Sequence, residues 1–148
     1  INVRVKGGAY GCMNSYMRNG DTYFVSYRDP NLKKTDEIYD GIPQYLADFK
    51  ADEREMTKYI IGTISELDVP MNPCAQGELA LTAWLSGINE EDFQRERDEI
   101  LEADQEAIRK LADLIQAVLE QENICVVGSE SALEKNREIL KTVEPLNR

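Results

Sequence analysis

Histidine is absent from all 148 residues. Imidazole is the usual ligand of catalytic zinc and the usual base beside a serine or cysteine nucleophile. Its absence therefore removes most hydrolytic chemistry from this chain acting alone. Cysteine is scarce: Cys12, Cys74 and Cys125 are odd in number and far apart, which excludes a disulfide framework and a CxxC metal site. Reduced thiols fit an intracellular setting, cytoplasmic or an organelle matrix. No apolar run approaches the ~18 residues of a membrane span, and no signal peptide opens the chain. The first residue is Ile1 rather than methionine, so the chain is expected to begin mid-protein, where a missing targeting signal says nothing about the parent. Basic residues are the minority, 17 Lys and Arg against 28 Asp and Glu, giving a formal net charge of −11. That excess repels phosphate backbones, so nucleic acid is not an expected partner, and neither is a membrane.

What is present suits one domain, or a domain fragment, spanning 1–148: 42% of the residues are apolar, enough for a core, and 30% are charged, enough for a solvated surface. Gly8 to Arg28 reads as a β-hairpin, its arms AYGCMNSYM and DTYFVSY rich in Tyr, Phe, Val and Thr. Between them Arg18-Asn19-Gly20-Asp21 carries Asn-Gly, the dipeptide that tolerates the positive φ of a type I′ turn.

Helical spacing follows. Ile38, Ile42, Tyr45, Leu46 and Phe49 predict a helix over 35–49, kinked or frayed by Gly41 and Pro43. Met56, Tyr59, Ile60, Thr63, Ile64 and Leu67 predict the clearest helix, with Asp52 and Glu55 as its capping pair. Asp68 to Gly77 reads as a loop. A helix through Leu79, Ala83 and Trp84 ends near Gly87, with Trp84 and Leu85 assigned to the core. Asn89 caps a helix carrying Phe93, Arg97, Ile100 and Leu101. Asp104 opens another, lined by Ile108, Leu111, Ala112, Ile115 and Leu119. Asn123 to Gly128, NICVVG, reads as a buried strand, and a short helix near 132–137 precedes a weakly defined tail. The order predicts an α+β fold, a small antiparallel sheet packed on one face by about five helices. Three strands are few for that many helices.

Candidate chemistry is densest at the start, Arg4-Val5-Lys6-Gly7-Gly8-Ala9-Tyr10-Gly11. Two glycines before a strand allow close backbone approach, though no phosphate-binding Gly-Lys-Ser/Thr follows. In a regular strand Arg4 and Tyr10, six apart, share a face. There they are either a surface arginine and a packed tyrosine, or two donors for a carbonyl oxygen or oxyanion. The carboxylate clusters Asp52-Glu53 and Glu90-Glu91-Asp92 read as helix-start charges, and Ser129 lies in no GxSxG elbow.

R-V-K-G-G-A-Y-G, the hairpin after it and S-Y-R-D-P-N at Ser26 to Asn31 resemble the last domain of presequence peptidases, in the pitrilysin and insulinase group of zinc metallopeptidases. The loop S-E-L-D-V-P-M-N-P-C-A-Q-G, a Leu-Ser-Gly turn and V-V-G near the end extend the resemblance over essentially the whole chain. The resemblance implies four homologous α+β domains closing around an unstructured peptide. The zinc, held by an inverted H-x-x-E-H motif and a distal Glu, lies in the first domain. The last domain has no metal and lends an Arg and a Tyr to the site. Carried onto this sequence these are Arg4 and Tyr10, contacting the substrate carbonyl and the oxyanion, with Gly7, Gly8 and Ala9 beside the substrate. Zinc is thus implied for the parent and not for this chain, which alone is expected to be inactive. The implied partners are the zinc-bearing N-terminal half and a peptide. The family's upstream helix and strands do not precede Arg4 here, so the isolated chain is expected to self-associate. The alternative is a non-catalytic scaffold or interaction domain of the same fold.

Overall fold

The chain begins in a single π-helical turn, Asn2–Lys6, and not in a strand. The computed structural model describes residues 1–146, so the last two residues of the expected tail lie outside it. Two strands follow, β1 (Gly11–Tyr16) and β2 (Thr22–Tyr27), paired antiparallel from Gly11 opposite Tyr27 to Tyr16 opposite Thr22. Seven α-helices come next: α1 (Leu32–Asp40), α2 (Ile42–Ala47), α3 (Glu53–Leu67), α4 (Pro73–Leu85), α5 (Glu90–Leu101), α6 (Gln105–Leu119) and α7 (Glu130–Lys135). The fold is α+β.

The described residues form two compact units. One comprises Ile1–Ala47 together with the chain from Leu111 onward; the other is Asp48–Lys110.

In the first unit the hairpin turn differs from the type I′ expectation. Met17 N–H donates to the Asp21 carbonyl at 2.9 Å, and Gly20 N–H to Met17 at 2.9 Å. Only Gly20 has positive φ, +94°. The loop is therefore Arg18-Asn19-Gly20, with glycine taking the left-handed position of a three-residue connection. Asn19 accepts the Asp21 N–H at 3.0 Å, so its amide rigidifies the loop instead of supplying a second left-handed residue. One face of the hairpin meets α1, where Tyr39 stacks on Phe24 (5.4 Å between centroids) and its hydroxyl lies 3.5 Å from the Cys12 thiol. Burial and that thiol push the phenol's pKa above its ordinary value.

Helix α1 breaks at Gly41, and Pro43 sits in the first turn of α2, where a missing N–H costs nothing. Val3, Ala9, Thr35, Pro43, Ala112 and Ile115 are the buried side chains around which this unit packs. The NICVVG segment forms no strand: it joins no ladder, Val127 is 75% exposed, and Glu122 before it takes φ +49°. Apolar content favours burial, but a strand also needs a hydrogen-bonding neighbour, and none pairs with it among the described residues.

The second unit is helical. Asp52 accepts the Glu55 N–H at 2.8 Å while Glu55 accepts the Asp52 N–H, a complete capping box. Asn89 and Asp92 repeat it at α5. Helix α4 starts at Pro73, inside the expected loop, because Asn72 caps it by accepting from Ala75 N–H at 2.9 Å. The Arg97 guanidinium grips Asp68, joining α5 to the end of α3. Arg109 Nε donates to the Phe49 carbonyl at 2.9 Å. Met56 and Ala83 are buried; Trp84 and Leu85, expected in the core, are 76% and 70% exposed. Apolar residues surround α4 on every side, and its neighbours cover only the side bearing Ala83.

Candidate functional site

The segment from Arg4 to Tyr10 folds as a wound loop held by its own backbone. Gly8 N–H donates to the Arg4 carbonyl at 3.0 Å, and Ala9 N–H to the Val3 carbonyl at 3.2 Å. Val3 and Ala9 are buried beneath it. Gly7 is required by space: a Cβ there would lie 2.4 Å from the Val3 carbonyl oxygen. Gly8 is required by conformation, with φ +80°. Because 2–6 is helical, Arg4 and Tyr10 are not two positions on one regular strand, and the alternation argument for a shared face does not apply.

A different device presents Tyr10. Gly11 is the ladder partner of Tyr27, and Tyr10 N–H also donates to the Tyr27 carbonyl at 3.1 Å. The ladder ends at Gly11, so this bond ties Tyr10 to β2 just outside the strand's alternation. The Tyr10 ring is 69% exposed and sits edge-on to Tyr27 at 6.0 Å. The Arg28 guanidinium lies 5.8 Å from the Tyr10 centroid and 5.4 Å from that of Tyr27. The Tyr10 hydroxyl and the Arg4 guanidinium have no hydrogen-bond or ion-pair partner among the described residues. Both can donate outward.

The S-Y-R-D-P-N segment locks this loop. Asn31 donates its side-chain amide to the Gly7 carbonyl. Asp29 accepts the Asn31 N–H at 2.9 Å and the buried Thr35 hydroxyl at 2.6 Å. Burial disfavours the charge of Asp29, but the hydrogen bonds from Thr35, Asn31 and Ser26 outweigh it and hold the carboxyl below its ordinary pKa. The sequence pattern holds these two motifs together without signalling the bond that joins them or the place of Arg28 over the two rings. The only signal for either was their co-occurrence. Of the three residues expected beside a substrate, Gly7 and Ala9 are buried and Gly8 is exposed. The N–H groups of Gly8 and Ala9 and the carbonyl of Gly7 are spent inside the loop.

Charge is uneven. The first 28 residues hold four cations, Arg4, Lys6, Arg18 and Arg28, and one carboxylate, Asp21, in a chain of net −11. Such a surface favours developing negative charge. Among the described residues no group of three or more Cys, Asp or Glu is arranged to hold a metal, and with no histidine the donor set does not fit zinc.

The family model described as PreP C-terminal domain matches residues 1–130. The chain belongs to that family. It is 49% identical over 142 residues to Protein HypA of Clostridium perfringens (strain 13 / Type A), covering 96% of this chain and 15% of that protein. It is 38% identical over 128 residues to Presequence protease 1, chloroplastic/mitochondrial, of Arabidopsis thaliana, covering 86% and 12%. With the mitochondrial presequence protease of Gibberella zeae the identity is 34% over 112 residues, covering 74% and 11%. The chain thus spans between about a tenth and a sixth of the length of these relatives. It is a peptidase-family C-terminal domain, and no helix among its described residues is long and apolar enough to cross a membrane.

Proposed function

We propose that this chain is the donor wall of a peptide-hydrolysing chamber whose zinc and general base belong to the rest of a longer protein. Tyr10 donates its phenolic proton in a hydrogen bond to the oxygen of the scissile carbonyl, and Arg4 supplies a second, charged donor to the same peptide. The observation that carries this reading is the bond from Tyr10 N–H to the Tyr27 carbonyl at the end of the ladder: it holds an exposed phenol, without a partner among the described residues, on a hydrogen-bonded loop. Donors aimed at developing charge from a fixed frame are the largest ordinary source of transition-state stabilisation. Gly8 is the point of closest backbone approach, since it alone of the three small residues is exposed. The partners are the zinc-bearing N-terminal half and an unstructured peptide inside a cell or organelle. By itself the chain carries half of a site and hydrolyses nothing.

A peptide with a photoreactive group beside its scissile bond, bound to the full-length protein, tests the placement. Labelling should fall within residues 4–10 of this chain. Labelling confined to other segments, with turnover intact, would remove the chain from the site. Absence of turnover together with tight peptide binding would favour the non-catalytic scaffold.

A further inference from the structure

Arg28 places its guanidinium over the Tyr10 ring, and its backbone conformation is unusual for arginine. Its φ is +49°, a left-handed conformation that glycine or asparagine adopts more readily than arginine. The conformation is imposed from both sides: Tyr27 is held in the β-ladder, and Asp29 is fixed by Asn31 and Thr35. The guanidinium has no carboxylate partner among the described residues. Its contacts are the two tyrosine rings, at 5.8 and 5.4 Å, which are themselves edge-on at 6.0 Å. Strain held at a single residue beside an exposed polar group points to use of that residue's side chain.

We propose that Arg28 is a positioning residue for Tyr10: its guanidinium, lying over the Tyr10 and Tyr27 rings, fixes the exposed phenol in one orientation. This rests on the reading of Tyr10 as a donor to the substrate. An exposed tyrosine bounded only by Tyr27 on one edge samples several rotamers, and only one aims the hydroxyl at a given oxygen. A cation against the ring face narrows that set without contacting the peptide. The effect therefore falls on the step in which the phenol acts, and not on substrate capture.

The test uses Arg28→Gly, Arg28→Lys, Tyr10→Phe and the double variant Arg28→Gly/Tyr10→Phe in the full-length peptidase. Arg28→Gly relieves the left-handed strain, so its melting temperature should hold, while kcat falls about fivefold with KM unchanged. Arg28→Lys keeps the cation and should recover part of the loss. In the Tyr10→Phe background, Arg28→Gly should cost nothing further, because the group it orients is gone. If Tyr10→Phe is impaired but Arg28→Gly keeps full kcat, the positioning role is overturned and the donor role of Tyr10 stands. A rise in KM at constant kcat would make Arg28 a substrate contact and overturn the proposal. So would a fivefold loss repeated in the Tyr10→Phe background. Full activity of Tyr10→Phe itself would overturn the donor reading and this proposal with it.

Discussion

The side-chain amide of Asn31 donates to the main-chain carbonyl of Gly7, tying the end of one motif to the middle of the other across 24 residues of sequence. The bond accounts for an asparagine directly after Pro30. Here the turn beyond β2 clamps the loop that carries Tyr10. Asn31→Ala leaves the half-buried carbonyl without that donor, at a cost of about 1–2 kcal/mol. Amide exchange at Gly8 and Ala9 should then accelerate about tenfold or more while exchange in α3 and α5 is unchanged. Unchanged exchange in the loop would show that the clamp does not hold it.

The two glycines of this loop should respond differently to alanine. At Gly7 the new methyl meets a backbone oxygen at 2.4 Å, and backbone cannot step aside as a flexible side chain can. At Gly8 the nearest foreign atom is Pro30 Cγ at 3.7 Å, so only the positive φ is penalised. Gly8→Ala should cost about 1–2 kcal/mol, and Gly7→Ala more, by rearranging the turn. Denaturant unfolding of both variants gives the order; the reverse order would contradict the placement of Val3 beneath Gly7.

Asp29 makes the clamp sensitive to acid. Its folded pKa lies below the ordinary 3.8, so its contribution is complete above the unfolded value and is lost as pH falls through the lower, folded value. Asp29→Asn should lower the melting temperature at neutral pH and narrow the gap to the parent protein progressively below about pH 4. A gap independent of pH would assign the loss to packing.

β1 is an unprotected edge. Met17 pairs with Asp21, so the alternate residues Cys12, Asn14 and Tyr16 direct their main-chain groups away from β2. The strand carries no charge and no proline, the residues that ordinarily block edge pairing. The isolated chain should therefore associate with rising concentration in light scattering, and Asn14→Lys should suppress it. A monomer at every concentration would contradict this.

The sequence was legible where a local rule decides the outcome. The Asp52–Glu55 capping pair, the Asn89 cap and the Gly41 break each depend on residues within a turn of one another, and all appear where the pattern places them. It was illegible where the outcome depends on a distant partner. NICVVG has the composition of a strand but no ladder, and Trp84 has the composition of a core residue but no cover. The opening residues form no regular strand. Instead, Lys6 N–H and Val5 N–H both return to the Ile1 carbonyl, and the wound turn that results is stabilised by the burial of Val3 and Ala9. The spacing of Arg4 and Tyr10 leaves both a structural pair and two donors open, the resemblance alone favours the donors, and the Tyr10–Tyr27 bond at the ladder's end has no signature in the chain.

The most direct test of the central claim is kcat of Tyr10→Phe in the full-length peptidase, measured beside its melting temperature. The ring and its contacts with Tyr27 and Arg28 survive the substitution, and only an exposed hydroxyl without a described partner is lost. A loss of ~10²–10³ in kcat with an unchanged melting temperature is the predicted result, the cost of one missing donor to developing charge. An unchanged kcat would contradict the account and return Tyr10 to the role of a surface aromatic.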